Sequence, residues 1–267
     1  MKDLKITLIQ TNIIWENIEA NLEQYETQKL SQIQPNSTDL IVFPELFSTG
    51  FSMQTERLAE TMKGKTIQWM QQWADKLNCQ IGGSLIVKEN NQYYNRFVIV
   101  SKKGVETYYD KRHLFRMGDE NNHFMAGQNR IIYNLKGWRI LLQVCYDLRF
   151  PIFARNNTVN GEKEYDAVIY IANWPEVRST IWTTLLKARA IENQVYCVGL
   201  NRVGFDGNNV NHSGDSLITD PWGQNVLKLT PNLDLVENIT LKKSVLNEIK
   251  TKFPAFLDAD QFRLTDK

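Results

Sequence analysis

At four places in this chain a largely apolar run with strand character ends abruptly on polar side chains. Asp39-Leu40-Ile41-Val42-Phe43-Pro44-Glu45 is one. Ile140-Leu141-Leu142-Gln143-Val144 reaches Cys145, Asp166-Ala167-Val168-Ile169-Tyr170-Ile171-Ala172 reaches Asn173-Trp174-Pro175, and Val195-Tyr196-Cys197-Val198-Gly199-Leu200 reaches Asn201-Arg202. Apolar runs without alternation belong to strands covered on both faces, the pattern of an interior α/β sheet. Pro44 has no N–H to continue a ladder, so Glu45 stands just past the carboxyl end of its strand. That edge is where open α/β sheets place their ligands.

The cysteine run is the most informative. Polar and cationic residues follow Cys145 at once, and Pro151 suits the first turn of a new helix. A side chain at such a strand-to-helix corner is lifted out of the sheet. The N–H groups after it point the same way and are free to hold an oxyanion. Taken alone, Cys145 reads more readily as a small buried hydrophobe, the ordinary state of a free cysteine.

The rest of the chain alternates between the two periodicities. Leu4, Ile6 and Leu8 alternate with polar residues as in a half-buried strand, and Trp15, Ile18, Leu22 and Tyr25 form a helical stripe whose aromatics are assigned to the core. Ile67, Met70, Trp73, Ala74 and Leu77 mark a second amphipathic helix. Strands are expected over 81–87, with a glycine pair that permits close backbone approach, over 93–100 and over 105–109. Lys111 follows the last of these. Gly118–His123, Asn156–Lys163 and Gly207–Gly214 read as polar loops. Ser179 is expected to cap a helix over 181–193 and Ser244 a short C-terminal helix. Strands over 216–219, 226–229 and 235–241 complete the set. No repeat, low-complexity tract or linker divides the chain. The expectation is a single domain over 1–267 with two sheets between helical layers, its tail (about 252–267) packing on the body or on a second subunit.

Composition narrows the partners. A net charge of +1 gives no electrostatic reason to expect nucleic acid or a membrane surface. No apolar run approaches the roughly 20 residues of a membrane span, and the N-terminus lacks a signal-peptide core. These features place the protein in the cytoplasm. The three cysteines, Cys79, Cys145 and Cys197, are widely spaced, which fits reduced thiols. No CxxC occurs and His113, His123 and His212 lie far apart, so nothing supports a metal site.

If the polar strand ends are adjacent, one pocket holds a carboxylate, an ammonium and a thiol. A free thiol titrates near pH 8.5 and needs help at neutrality. A lysine cation favours the thiolate, and a carboxylate can take the thiol proton and return it to a leaving amine.

At this point the chain resembles the nitrilase superfamily, the carbon–nitrogen hydrolases with a Glu-Lys-Cys triad. Three motifs carry the resemblance in the family's order: Phe43-Pro44-Glu45-Leu46-Phe47, Lys111-Arg112-His113-Leu114-Phe115 and Val144-Cys145-Tyr146-Asp147-Leu148-Arg149-Phe150-Pro151. Ala172-Asn173-Trp174-Pro175, Ala188–Gln194 and Gly214-Asp215-Ser216 also match. The resemblance implies Cys145 as nucleophile, Glu45 as general base and Lys111 as the oxyanion partner. Glu120, seven residues before Gly127, falls at the place of the family's second glutamate as a supporting acid. Tyr146, Asn173, Trp174, Phe115 and Arg149 are assigned to oxyanion or substrate binding, although Trp174 reads equally as core. The resemblance further implies a four-layer α-β-β-α sandwich of α/β (α+β) class, a homodimer paired through helices, and no metal or organic cofactor. It is closest to the bacterial omega-amidases associated with methionine salvage. The implied substrate is then a small-molecule amide, 2-oxoglutaramate or 2-oxosuccinamate, cleaved to the dicarboxylate and ammonia through a thioester. An anionic substrate needs a cation or free N–H groups for its distal carboxylate. Arg116, Arg149, Arg178 and Arg202 are the candidates. Three alternatives stay open: another amidase or nitrilase with the same triad, a Cys-His thiol hydrolase using one of the histidines, and a non-catalytic binding protein of the same fold.

Overall fold

The computed structural model describes residues 2–260 and 262–264. Its strands are β1 (Leu4–Gln10), β2 (Leu40–Val42), β3 (Gln80–Glu89), β4 (Gln92–Ser101), β5 (Gly104–Asp110), β6 (Ile132–Leu135), β7 (Trp138–Val144), β8 (Thr158–Val159), β9 (Glu162–Lys163), β10 (Ala167–Ala172), β11 (Tyr196–Asn201), β12 (Val203–Phe205), β13 (Asn211–Ser213), β14 (Leu217–Thr219), β15 (Asn225–Lys228) and β16 (Leu235–Leu241). The helices are α1 (Ile18–Gln28), α2 (Thr55–Leu58), α3 (Lys65–Leu77), α4 (Glu120–His123), α5 (Pro151–Ala154), α6 (Ser179–Asn193) and α7 (Lys243–Lys252).

Two six-stranded sheets form, in the orders β16-β1-β2-β3-β4-β5 and β15-β14-β11-β10-β7-β6. β1, β2 and β3 run parallel in the first, and β7, β10 and β11 in the second. The inner face of the first sheet (Leu4, Ile6, Leu8, Leu40, Val42, Phe97) meets the second sheet in one continuous core. Its outer face (Ile9, Ile41, Val98) is covered by Leu22 and Tyr25 of α1 and by Ile67, Met70 and Trp73 of α3. Trp182, Leu186 and Ala190 of α6 cover the far side of the second sheet. The result is the α-β-β-α sandwich.

Several elements depart from the sequence-based expectations. β1 is buried on both faces rather than one, with only Lys5 exposed, because it lies inside its sheet between β16 and β2. Trp15 precedes α1, whose cap is Asn17, and is half-buried at a cavity rim rather than in the core. Ser179 and Ser244 do not cap. α6 and α7 begin after Arg178 and Lys242, and neither start has a side-chain cap. The three polar loops each contain order: α4 in one, the β8–β9 hairpin in the second and the β12–β13 hairpin in the third. The expected glycine pair acts by close contact, since a Cβ on Gly83 would meet the Phe47 ring and the Phe43 Cβ. Of the tail, Phe253 is exposed, but Phe256 is buried and its N–H donates to Gln194 Oε1 at 3.2 Å. Gln261 and residues 265–267 lie outside the described residues. No helix is long and apolar enough to cross a membrane among the described residues.

Two positions let the fold be tested. Gly127 N–H donates to the Lys111 carbonyl at 3.0 Å, and a Cβ there would run into the Asp110 carbonyl. Gly127→Ala is expected to cost about 2 kcal/mol, read as a lower denaturant midpoint. His212, on β13, is 2 % exposed. Burial, and then the Arg202 cation, push its pKa down to about 4. The folded state therefore binds fewer protons than the unfolded chain below the ordinary histidine range. Stability should fall as pH drops from about 6.5 towards 4, by about 3 kcal/mol. Replacing His212 with Gln should flatten that part of a stability–pH profile.

Candidate active site

Glu45 is aimed by the packing of its neighbours. Phe43 and Phe47 stack on each other with centroids 4.7 Å apart, beneath α1 and α3. The Tyr25 hydroxyl donates to the Phe47 carbonyl at 2.7 Å. Leu46 takes a left-handed φ of 46°, and its N–H donates to Ser84 Oγ on β3 at 2.8 Å. With both flanks fixed, the Glu45 carboxylate projects from the end of β2 into the gap between the sheets and is wholly buried.

Lys111 leaves the end of β5 and is equally buried. Its Nζ donates to Glu45 Oε1 at 2.8 Å and to Glu120 Oε1 and Oε2 at 3.0 and 2.9 Å. An ammonium has three N–H donors, so all of them are engaged. Burial by itself would lower the lysine pKa. The Glu120 and Glu45 carboxylates outweigh it and hold the ammonium charged well above the usual lysine range. Glu120 begins α4. Its Oε2 also accepts from the Phe115 N–H at 2.6 Å. Burial, offset in part by Lys111, raises its pKa. Asn95 of β4 joins the two acids, donating from Nδ2 to Glu45 at 2.8 Å and to Glu120 at 3.2 Å. Glu45 Oε2 accepts from the Asn173 N–H at 2.8 Å, which ties the first sheet to the end of β10.

Cys145 ends β7 with a left-handed φ of 44° and opens a 3-10 turn, Cys145–Arg149, before α5 starts at Pro151. A φ of this sign is costly outside glycine. It is held by Asp147, whose carboxylate accepts from the N–H of Val144 (2.9 Å), the N–H of His113 (3.0 Å) and the Tyr109 hydroxyl (2.8 Å). His113 Nδ1 lies 2.7 Å from the same carboxylate, and its ring stacks on Phe150. Cys145 Sγ is 3.9 Å from the Asn173 carbonyl. Burial first, and the Glu45 carboxylate second, raise the Cys145 pKa well above the ordinary thiol value, against the pull of Lys111. Lys111 acts in the thiolate's favour, as the sequence suggests, while burial and the Glu45 carboxylate act more strongly the other way.

A cavity of about 1060 Å³ opens over these groups, and Lys111, Cys145, Tyr146, Asn173, Trp174, Phe115 and Arg149 all line it. Trp174 is 3 % exposed and packs against Trp182, so it belongs to both wall and core. The fourth polar strand end, Asn201, lies behind the wall: it accepts from the Trp174 N–H at 2.8 Å and donates to the Trp174 and Gly214 carbonyls. The charged groups that act most strongly on Cys145 are Glu45, Lys111 and Glu120. His113 is held by Asp147, His123 contacts Asp119, and His212 lies 3.0 Å from the Val210 carbonyl. Among the described residues no cluster of three His, Cys, Asp or Glu is placed to hold a metal. Sequence reasoning missed Asn95 and Asp147. Asn95 sits inside a strand where nothing marks it as polar chemistry, whereas Asp147, two residues after the cysteine, stood within a quoted motif.

The carbon-nitrogen hydrolase family model matches residues 5–241 of this chain. The chain is 42% identical to omega-amidase YafV of Escherichia coli, over 99% of this chain and 100% of that one. It is 31% identical to the 2-oxoglutaramate amidase of Bacillus subtilis, over 90% and 94% of the two chains. Its fold superimposes on the crystal structure of XC1258 from Xanthomonas campestris, a CN-hydrolase superfamily protein with an arsenic adduct in its active site. The TM-score is 0.95 at 39% identity, covering 99% of this chain and 100% of that one. The protein therefore belongs to the carbon–nitrogen hydrolases of the nitrilase superfamily, enzymes that act on amides.

Proposed function

We propose that this protein is an omega-amidase that cleaves the terminal amide of 2-oxoglutaramate or 2-oxosuccinamate. The observation that carries the reading is the buried set of Glu45, Lys111 and Glu120 beside Cys145. The likeness to an omega-amidase and a 2-oxoglutaramate amidase supports the substrate.

In the proposed reaction Cys145 Sγ attacks the amide carbon while Glu45 takes the thiol proton. The carbonyl oxygen becomes an oxyanion held by the Tyr146 N–H and by Lys111. Lys111 has no spare N–H at rest, so one contact to Glu120 is exchanged for the oxyanion. Glu120 thus acts as the positioning acid that keeps the ammonium charged. The tetrahedral intermediate collapses, Glu45 returns the proton to nitrogen, and ammonia leaves a thioester on Cys145. Glu45 then takes a proton from water as its oxygen attacks the thioester. A second collapse breaks the carbon–sulfur bond, releases the acid and restores the thiol. Phe115, Tyr146, Asn173, Trp174 and Arg149 shape the substrate space, and no step calls for a metal or organic cofactor.

The wider setting belongs to the same proposal. The chain acts as a single domain over 1–267, in the cytoplasm, without nucleic-acid or membrane partners. It pairs as a homodimer through helices, a reading supported by the exposed Ile152 of α5 and Ile181 and Ile191 of α6. The tail packs on the body or on the partner.

Ammonia release from 2-oxoglutaramate tests the reading. The wild type should release it, Cys145→Ala should not, and Glu45→Gln and Glu120→Gln should each lower kcat by about a hundredfold or more. Turnover of carbamoyl amines or nitriles in preference to 2-oxoglutaramate would sink the substrate assignment.

A further inference from the structure

The cavity wall beyond Cys145 carries charges that are unequally committed. Glu16, Glu176 and Asp206 line it, and each carboxylate has its own partners. Glu16 accepts from Arg57 and Ser52. Glu176 accepts from Asn211 Nδ2 at 2.7 Å, and Asp206 Oδ1 accepts from the N–H groups of Asn208 and Val210, both at 2.9 Å. The guanidiniums of Arg149 and Arg178 line the same wall. Among the described residues neither is paired with a carboxylate. Each instead lies over a ring of the wall: Arg149 Cζ is 5.4 Å from the Trp174 centroid and Arg178 Cζ is 5.5 Å from that of Phe115.

These contacts form one connected set. Trp174 Nε1 donates to the Arg178 carbonyl at 2.9 Å, and Phe115 packs edge-on against Tyr146 at 5.1 Å. Tyr146 and Arg149 belong to the turn that Cys145 opens. A guanidinium attracted to a ring face makes no hydrogen bond through that contact, so its N–H donors stay available to an acceptor. The other cations are committed or misplaced. Lys111 is enclosed by two carboxylates. Arg202 is buried and donates to Asn12, Val203 and Phe205. Arg116 is exposed and does not line the cavity.

The geometry points to Arg149 and Arg178 as the anion-recognition end of the pocket, which binds the carboxylate of an anionic amide and selects it over a neutral amide of equal length. The 2-oxo acid identity of that anion rests on the omega-amidase reading above. A carboxylate presents two oxygens in one plane, the arrangement that a guanidinium edge meets bidentately.

Steady-state kinetics of Arg149→Gln, Arg178→Gln and the double variant test this, with 2-oxoglutaramate and the uncharged pentanamide as substrates. Each single change should lower kcat/KM for 2-oxoglutaramate about 30-fold, mainly through KM. The fall for pentanamide should be far smaller, and Lys at either position should restore part of the loss. An equal fall on both substrates, or none on either, overturns the assignment. A second measurement needs no turnover: 2-oxopentanoate, which carries the carboxylate without a second charge, should slow iodoacetamide alkylation of Cys145 in the wild type and fail to do so in the double variant. If the wild type releases no ammonia from 2-oxoglutaramate yet this protection depends on the arginines, the functional reading fails and the anion end stands. If ammonia is released but the variants keep both preference and protection, the anion end is wrong and the functional reading stands.

Discussion

A lysine ammonium without solvent contact lies between two carboxylates without solvent contact, and the site depends on that arrangement. Removing such groups from water costs several kcal/mol per ion. The cost is offset only because each charge is fully engaged. The three lysine N–H donors meet carboxylate oxygens, Asn95 bridges the acids, and the N–H groups of Phe115 and Asn173 take remaining lone pairs. With both acids ionised, the set sums to one negative charge. A thiolate at Cys145 would add a second in the same low-dielectric space, and the thiol pKa is accordingly raised by burial and by Glu45 although a lysine is near.

The sandwich is what brings these groups within reach. Glu45 and Lys111 stand at strand ends of the first sheet, Cys145 and Asn173 at strand ends of the second. The separation between the sheets thus becomes the separation between Glu45 and Cys145. Asp147 fixes it from the second side. One carboxylate holds the N–H before the nucleophile, and the backbone and ring of the residue two beyond the lysine. The hydrogen bond from Asn173 to Glu45 fixes it from the other. Both links join residues far apart in sequence, and both are buried.

This division explains how much could be read from the chain itself. Buried strands and their polar ends were legible because continuous apolar runs have few other solutions. Glu45, Cys145 and Asn173 stand at such ends, and the structure brings them together with Lys111, which follows the mostly exposed β5. Local hydrogen-bonding preferences misled at Ser179 and Ser244, where the caps fall one and two residues earlier, at Arg178 and Lys242, without a side-chain hydrogen bond. Short hairpins such as β8–β9 were invisible because two residues carry no periodicity. The fourth strand end, Asn201, matched the pattern yet serves the wall from behind. Asn95 was missed for the opposite reason: its side chain matters only through two acids distant in sequence. Glu120 was placed by likeness to a family, not by pattern, since the single turn of α4 has no signature of its own.

On the proposed reading, the two ends of the cavity act on substrate with opposite sign. The floor carries the lysine with its two carboxylates, and an anionic group brought there would meet net repulsion in a medium that screens it poorly. The wall at Arg149 and Arg178 carries positive charge lying over aromatic rings. A substrate with a carboxylate at one end and a neutral amide at the other therefore has one favourable direction of entry, carboxylate to the arginines and amide to the thiol. The reversed orientation would put two like charges together and leave both guanidiniums without partners. The substrate's own carboxylate end is not an amide and needs no attack, so the field that orients the molecule also keeps the product dicarboxylate away from the floor. Release then follows from charge: once hydrolysis turns the amide into a second carboxylate, the end that had been tolerated beside Glu45 and Glu120 is repelled by them.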